Sequence, residues 1–393
     1  MSVAAVPLGS ALTVPSDPAR ERPLRIETIE DVAAFTALKG EWTALLEAAP
    51  AASAGFFLTW EWLHTWWTHL AGGRRLSLLT VRRGAELVAI APFLTNAGVL
   101  LARRGFLGTG RVGSDYLDIV VRPGAEDGVV RHIAAHLARH PAVLDLQQLD
   151  AAAAARGLVE ELRRSGGLVQ TRPTHVCPFI DLRGSNWDSY LGSLGSEHRY
   201  NFHRRLRKLE TQHALRFERV TSEAKRRQVL PILLELHRRR WSERGGSDGL
   251  AGEGIIAFHE ELSRLALERG WLRLFVLWLG AAPAAALYGF RYRGVFHFYQ
   301  SGFDPKYRKL SVGLVTMGLA IKSAIEERTS TFDLLHGEEA YKSHWAKQAR
   351  PLERVLVFPS GFRGRLAWSA ATAAEATRGL KRRLWRGDAA SRR

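Results

Sequence analysis

Ser301-Gly-Phe-Asp-Pro-Lys-Tyr-Arg-Lys-Leu-Ser-Val-Gly313 joins an apolar run, residues 295–300, that reads as a strand to a longer one, residues 312–328, that reads as a helix. A helix starting at Val312 leaves its first N–H groups unpaired and carries roughly half a positive charge at that end, so its start can take an anion. Lys306, Arg308 and Lys309 add cations ahead of it, and Ser311 and Gly313 are small enough for a phosphate to approach the backbone. The loop is neither a Walker A motif, which needs Gly-Lys-Ser/Thr four residues after a glycine, nor a Gly-x-Gly-x-x-Gly dinucleotide turn. An ordinary solvated helix start with Ser311 as N-cap would use the same residues.

Outward from this turn, one order of elements occurs twice. The second half reads as strands over 271–279, 284–293 and 295–300, the helix 312–328, a strand over 331–335, a helix over 338–348 and a strand over 352–358. The first half reads as a strand over 24–29, a helix over 30–49 stopped by Pro50 and a Trp-dense helix over 56–70. Strands over 75–82, 86–95 and 115–121 follow, then the helix 128–139, the strand 143–149, the helix 156–165 and an extended run over 168–182. Residues 196–269 read as a helical block with a break at Gly245-Gly-Ser-Asp-Gly249. This pattern predicts an α+β fold of two similar domains, each a mixed, mostly antiparallel central sheet flanked by helices. The expected divisions are a flexible leader, 1–22, a first domain, 23–175, a second domain, 176–359, that includes block 196–269, and a basic tail, 360–393. In the first half the equivalent turn is Arg122-Pro-Gly-Ala-Glu-Asp-Gly128, where Glu126 and Asp127 would repel an anion. Only the second half is therefore expected to bind one.

Composition narrows the class. With 46% hydrophobic and 24% charged residues the chain is expected to fold. A single cysteine, Cys177, rules out a disulfide framework or a cysteine-rich zinc site and fits a reducing cytoplasm. No stretch holds the roughly 18 apolar residues of a membrane span, and residues 1–22 lack the pattern of a signal peptide. His132, His136 and His140 share one helical face without a carboxylate or cysteine to complete a ligand set, so no metal is expected. The tryptophans between 60 and 67 fit a packed stripe. The formal charge of +17 is concentrated: residues 198–240 hold 13 Lys/Arg against 4 Asp/Glu, and residues 361–393 hold 9 against 2. Two local cationic surfaces result, suited to phosphates of a small molecule, a nucleic acid or an anionic lipid face.

Arg308-x-x-Ser-x-Gly313 resembles the Arg/Gln-x-x-Gly-x-Gly/Ala pyrophosphate loop of the GNAT acyltransferases, with Ser311 in place of the first glycine, where a positive φ would be strained. More narrowly, Phe298-Tyr-Gln-Ser-Gly-Phe-Asp-Pro-Lys-Tyr-Arg-Lys-Leu-Ser-Val-Gly313 followed by Phe332-Asp-Leu-Leu-His-Gly-Glu-Glu-Ala-Tyr-Lys-Ser-His-Trp345 resembles the CelD/BcsL-type acetyltransferases. The helix near Trp60 and Leu194-Gly-Ser-Glu-His-Arg-Tyr-Asn-Phe-His-Arg-Arg205 are similar to that family too. The resemblance implies tandem GNAT-like halves, distantly similar to Fem-type transferases. It also implies acetyl-CoA or another acyl-CoA as co-substrate, with Gln300, Ser301, Arg308, Lys309, Leu310, Ser311, Val312 and Gly313 as its binding residues.

Acyl transfer needs a deprotonated nucleophile, donors for the oxyanion and an acid for the leaving thiolate. The resemblance assigns the oxyanion to backbone N–H groups near Gln300 and Ser301 and the acid to Tyr341. The base is expected to be Glu338, or else His336, since both follow the strand 331–335 and can face the cleft. Each has a plainer reading: Glu338 as a helix-start acid, His336 as a turn residue, Tyr341 with Trp345 as core packing. Arg199, Asn201 and Arg205 on the basic helix are expected to line the acceptor cleft or hold the CoA 3′-phosphate, unless that helix is merely exposed; Lys342 reaches a phosphate or solvent. The resemblance points to a small-molecule or saccharide acceptor, such as a polysaccharide or cell-envelope precursor, with nucleic acid not expected as partner. Two other readings keep the same residues: a Fem-type enzyme taking an aminoacyl group from tRNA, and a non-catalytic basic binding module. The chain is expected in the cytoplasm, with the tail residues Arg378 to Arg386 and Trp385 able to hold an anionic inner membrane face.

Overall fold

The computed structural model describes residues 22–50, 55–242, 250–337 and 339–390, with side chains to residue 377. The first half runs β1 (Leu24–Ile29), α1 (Val32–Ala37), α2 (Lys39–Ala48), α3 (Trp60–Leu70), β2 (Arg75–Leu76), β3 (Leu78–Arg83), β4 (Glu86–Ala91), β5 (Phe93–Asn96), β6 (Arg103–Phe106) and β7 (Val120–Val121). It closes with α4 (Glu126–Arg139), β8 (Val143–Leu149), α5 (Ala155–Arg164) and β9 (Leu168–Asp181). After α6 (Trp187–Ser193) and α7 (Ser196–Gln212) come β10 (Leu215–Arg219), α8 (Glu223–Ser242), α9 (Glu253–Glu268), β11 (Leu272–Leu279), β12 (Ala282–Tyr292) and β13 (Val295–Phe303). A 3-10 turn, Pro305–Leu310, leads to α10 (Val312–Glu326), β14 (Thr331–Asp333), α11 (Lys342–Trp345), β15 (Gln348–Phe358) and α12 (Phe362–Ala390).

The fold is α+β, with antiparallel and mixed sheets flanked by helices in two halves of like order. A four-stranded sheet has the order β1-β3-β4-β7, and an eleven-stranded sheet the order β10-β11-β12-β13-β14-β9-β15-β8-β6-β5-β2. The halves exchange their last strands. β9, which ends the first, pairs with β14 of the second, while β15, which ends the second, pairs with β8 of the first. β9 and β15 also pair with each other from Gln348 opposite Phe179 to Phe358 opposite Leu168. The expected division at 175/176 falls inside β9.

Several elements differ from their sequence expectation. The helix expected over 30–49 is two, broken at Leu38, the residue that ends α1 and begins α2. The strand expected over 115–121 is only Val120–Val121, because Asp118 accepts the N–H groups of Ile119, Ala154 and Ala155 and so holds a loop in place of a ladder. The block 196–269 contains a strand, β10, paired with β11 at the sheet edge; its alternating Leu-Arg-Phe-Glu-Arg was masked by the cations on both sides. The helix expected over 338–348 is reduced to α11, since the chain enters β15 at Gln348. The expected leader and the glycine break at 245–249 lie outside the described residues, apart from Arg22.

The tryptophan stripe is core: Trp42, Trp62 and Trp66 are fully buried, and the Trp62 indole donates to Ser114 at 2.8 Å. The largest apolar cluster joins these rings to α8, α9 and the face of β11–β13 turned toward the first half, while a second cluster packs α6, α7 and α10 on the opposite face. Among the described residues, no helix is long and apolar enough to cross a membrane, and no group of three or more His, Cys, Asp or Glu is placed to hold a metal ion.

Candidate active site

Strands β13 and β14 run parallel but pair only at residues 295–297. From Phe298 onward β13 continues alone on that side, so a wedge opens between it and the chain after β14. Opposite the wedge, the register of β13 with β12 slips by one residue, leaving Tyr299 as the extra residue of a bulge. Two glycines let helices close on this region. A Cβ on Gly302 would lie 2.2 Å from the backbone N of His237, so its absence seats α8 on β13; a Cβ on Gly318 would meet the Phe202 ring at 2.2 Å, so its absence seats α7 on α10.

A cavity of about 460 Å³ fills the wedge, and every residue lining it belongs to the second half. Ser301, Gly302 and Phe303 of β13 form one wall, Glu339, Ala340 and Tyr341 the other, and Arg308 with Ser311, Val312 and Gly313 the end where α10 begins. There the N–H groups of Val312 and Gly313 find no backbone acceptor among the described residues, and the first turn of α10 carries no acidic residue. The first turn of α4 carries Glu126 and Asp127. Ser311 adopts φ 57°, ψ 39°, the left-handed conformation that glycine would take without cost.

Tyr341 precedes α11 with its hydroxyl buried and without a hydrogen-bond partner among the described residues. Burial, and then the Glu339 carboxylate, push the phenol well above its ordinary value, so it stays protonated. Arg240 lies over its ring, 5.7 Å from the centroid, and donates to the Ser301 hydroxyl at 2.8 Å and to its carbonyl at 3.3 Å. Sequence reading missed this arginine. Its neighbours Arg238 and Arg239 pair with Glu235 at helical spacings of three and four, and Arg239 also with Asp304. Arg240, five residues from Glu235, is turned off that face, a signal present in the sequence but meaningful only once β13 is known to lie there. His198 was also missed. It lines the cavity with its ring edge-on to Trp345, and burial, then His344, holds its pKa below the usual value, leaving it neutral.

The other expected site residues divide. Gln300 sits opposite Tyr288 in the ladder, the Lys309 carbonyl accepts from Arg205 at 3.0 Å, and Leu310 packs into an apolar cluster; none of these lines the cavity. Arg199 donates to the Gly192 carbonyl, and Asn201 accepts from Arg204. Lys342 is 3% exposed and donates to the carbonyls of Leu335 and His336 while pairing with Glu339 at 3.1 Å. Glu338 lies outside the described residues. His336 does not line the cavity but faces the first half: its Nδ1 is 2.7 Å from Oδ1 of Asp115, which is fully buried and whose Oδ2 accepts the His336 N–H at 2.9 Å. Nothing in the local sequence at either residue announces the pair.

Residues 196–343 match a family described as an acetyltransferase (GNAT) domain. Comparison with curated sequences gives no match. Among solved structures, FemX is similar over 81% of this chain and 95% of its own, with a TM-score of 0.59 at 11% identity. The C-terminal domain of a putative lysylphosphatidylglycerol synthetase from Agrobacterium fabrum is similar over 87% and 96%, with a TM-score of 0.52 at 12% identity. L-PGS from Bacillus licheniformis is similar over 85% and 93%, with a TM-score of 0.50 at 12% identity. At these identities the likeness is one of fold.

Proposed function

We propose that this chain is an acyl-CoA-dependent acyltransferase, acetyl being the simplest group, acting on an amine or hydroxyl. The observation that carries the reading is the wedge cavity ending at the start of α10, where two N–H groups without a backbone acceptor among the described residues, the helix dipole and the Arg308 side chain line one end, in a first helical turn that carries no acidic residue. A diphosphate held there directs a pantetheine arm along β13 toward the bulge at Tyr299. Backbone N–H groups of β13 beyond Phe298, released from pairing with β14, are the donors available to an oxyanion. The Tyr341 hydroxyl donates to the departing sulfur. Thiols titrate near about 8.5, below this raised phenol, so hydrogen-bond donation is favoured over complete proton transfer.

The finer assignment, CelD/BcsL-type transfer to a saccharide of a polysaccharide or cell-envelope precursor at the cytoplasmic membrane face, rests on the resemblance of residues 298–313 and 332–345; the tail side chains expected to touch a membrane lie outside the described ones. A second reading, transfer of an aminoacyl group from tRNA, draws on α7, where Arg199, Arg204, Arg205, Arg207 and Lys208 form no ion pair with any described residue, whereas Arg226, Arg227, Arg238 and Arg239 of α8 are all paired with carboxylates. Calorimetric titration with acetyl-CoA decides between the two. Arg308→Ala is expected to lose affinity and Glu126→Ala to keep it; equal losses, or salt-sensitive RNA binding without CoA binding, overturn the acyl-CoA reading.

A further inference from the structure

We propose that Asp115, a residue of the first half, is the positioning residue that holds His336 as proton acceptor for the incoming amine or hydroxyl. The inference rests on the acyltransferase reading and deepens it, giving the half that does not line the wedge cavity a part in the reaction. Asp115 is fully buried, and both its oxygens are committed to His336, Oδ1 to the ring and Oδ2 to the backbone N–H. A carboxylate at Nδ1 fixes the ring proton there and leaves the lone pair on Nε2. The Lys342 ammonium bonds the His336 carbonyl at 2.8 Å and the His175 ring lies 4.5 Å from the imidazole, whose side chain is 29% exposed.

His336 lies three residues beyond β14, at the opening wedge. Leu334 packs in the cluster of α10 and Leu335 in the cluster shared with the first half, so the chain crosses between the sheet faces as it reaches His336. Glu339 to Tyr341 then return to line the cavity. His336 and the cavity-lining residues Glu339 to Tyr341 thus sit on one short stretch of chain after β14, and the acceptor is placed on its first-half side, between the imidazole and a thioester in the wedge. In the step this serves, the acceptor lone pair attacks the thioester carbonyl carbon and its proton passes to His336 Nε2. The C–S bond breaks with its electron pair on sulfur, and the thiolate, hydrogen-bonded by the Tyr341 hydroxyl, takes its proton from solvent while the proton on His336 Nε2 returns to solvent. The products are an amide or ester and free CoA.

The titratable groups around the imidazole are Asp115 from the segment before β7, His175 of β9 with its ring 4.5 Å away, Glu339 from the turn after β14 and Lys342 from α11; Cys177 of β9 lies behind Asp115 with its thiol 3.6 Å from Oδ2, and the segment of Asp115 sends Tyr116 to Asp333, which also binds Arg350. Burial lowers the His336 pKa, but the Asp115 hydrogen bond and charge, with Glu339, outweigh it and the opposing Lys342, and the net shift is upward.

The test uses the full chain. The His336 imidazole, identified by its loss in His336→Gln, is titrated by NMR in the wild type and in Asp115→Asn, and thiol release from acetyl-CoA with hydroxylamine as nucleophile is followed against pH beside calorimetric acetyl-CoA affinity. Expected are a wild-type rate that rises with pH through the His336 titration, a rise displaced to lower pH with a plateau about 100-fold down in Asp115→Asn, no rise in His336→Gln, and unchanged affinity throughout. A merely structural Asp115 would move stability and leave the pH profile where it was. Superimposed profiles at equal affinity, or acetyl-CoA bound but released at the buffer rate, overturn the proposal and leave the donor site standing. Failure of the wild type to bind acetyl-CoA overturns the donor reading, and this inference with it. Should Asp115→Asn not fold, the loss of the pH rise in His336→Gln decides.

Discussion

Gly313→Asp separates the fold from the donor site because it should move them in opposite directions. A Cβ at Gly313 meets nothing closer than the Phe303 ring at 3.7 Å, an ordinary contact, so the side chain fits. Leaving glycine gains about 0.3 kcal/mol of helix propensity, and a carboxylate in an acid-free first turn adds about 0.3–1 kcal/mol against the dipole. Stability should therefore rise by roughly 0.6–1.3 kcal/mol, which for a chain of 393 residues is a Tm increase of about 1–2 °C. At about 5 Å and an effective dielectric of about 20, the new carboxylate would repel each charge of a bound diphosphate by about 3 kcal/mol, so CoA affinity should fall at least about 100-fold. The variant gives α10 the acidic start that α4 already has in Glu126 and Asp127. Thermal melting and calorimetric titration with CoA read the two effects. Affinity within about fivefold of wild type in a folded variant would mean that no phosphate sits at the start of α10, and the reasoning fails.

Three further outcomes are expected. Ser311→Gly relieves a left-handed serine worth about 1–2 kcal/mol against an unfolded-state cost of up to about 1 kcal/mol, so urea unfolding should show equal or slightly higher stability; a clear loss contradicts the strain. Tyr341→Phe removes a buried hydroxyl without a partner among the described residues, so Tm should hold or rise while thiol release from acetyl-CoA falls about 10-fold or more, and an unchanged rate removes Tyr341 from the chemistry. Burial holds His237 at about 4 and His259 and His297 at about 3, so these rings are neutral when folded but bind protons in the unfolded chain below about 6.5. Their contribution is present above about pH 6.5 and is lost as pH falls, at up to about 4 kcal/mol per pH unit near pH 5; equal urea midpoints at pH 7 and pH 5 would refute it.

The order of strands and helices in each half was legible because strands and helices write their periods locally. So was the cationic helix start of the second half, since the start of α10, the cations before it and its acid-free first turn sit within a dozen residues. β10 escaped because five alternating residues between cationic helices carry too little signal, and the expected strand at 115–121 failed because Asp118 caps backbone groups from residues far along the chain. The narrow α11 was hidden by apolar spacing that suits a helix but serves the entry into β15.

By itself, then, the sequence determined the repeated α+β plan and the second half's cationic turn ahead of an acid-free helix start, both products of spacing between near neighbours. Tertiary structure decided that the two halves exchange β9 and β15, that Arg240 and not Arg238 or Arg239 faces the cavity, and that Asp115 meets His336 across 221 residues. The reason is physical: backbone propensity and helix electrostatics act over a turn or two, whereas which buried carboxylate meets which imidazole depends on how two sheets, each unable to cover itself, close on one another.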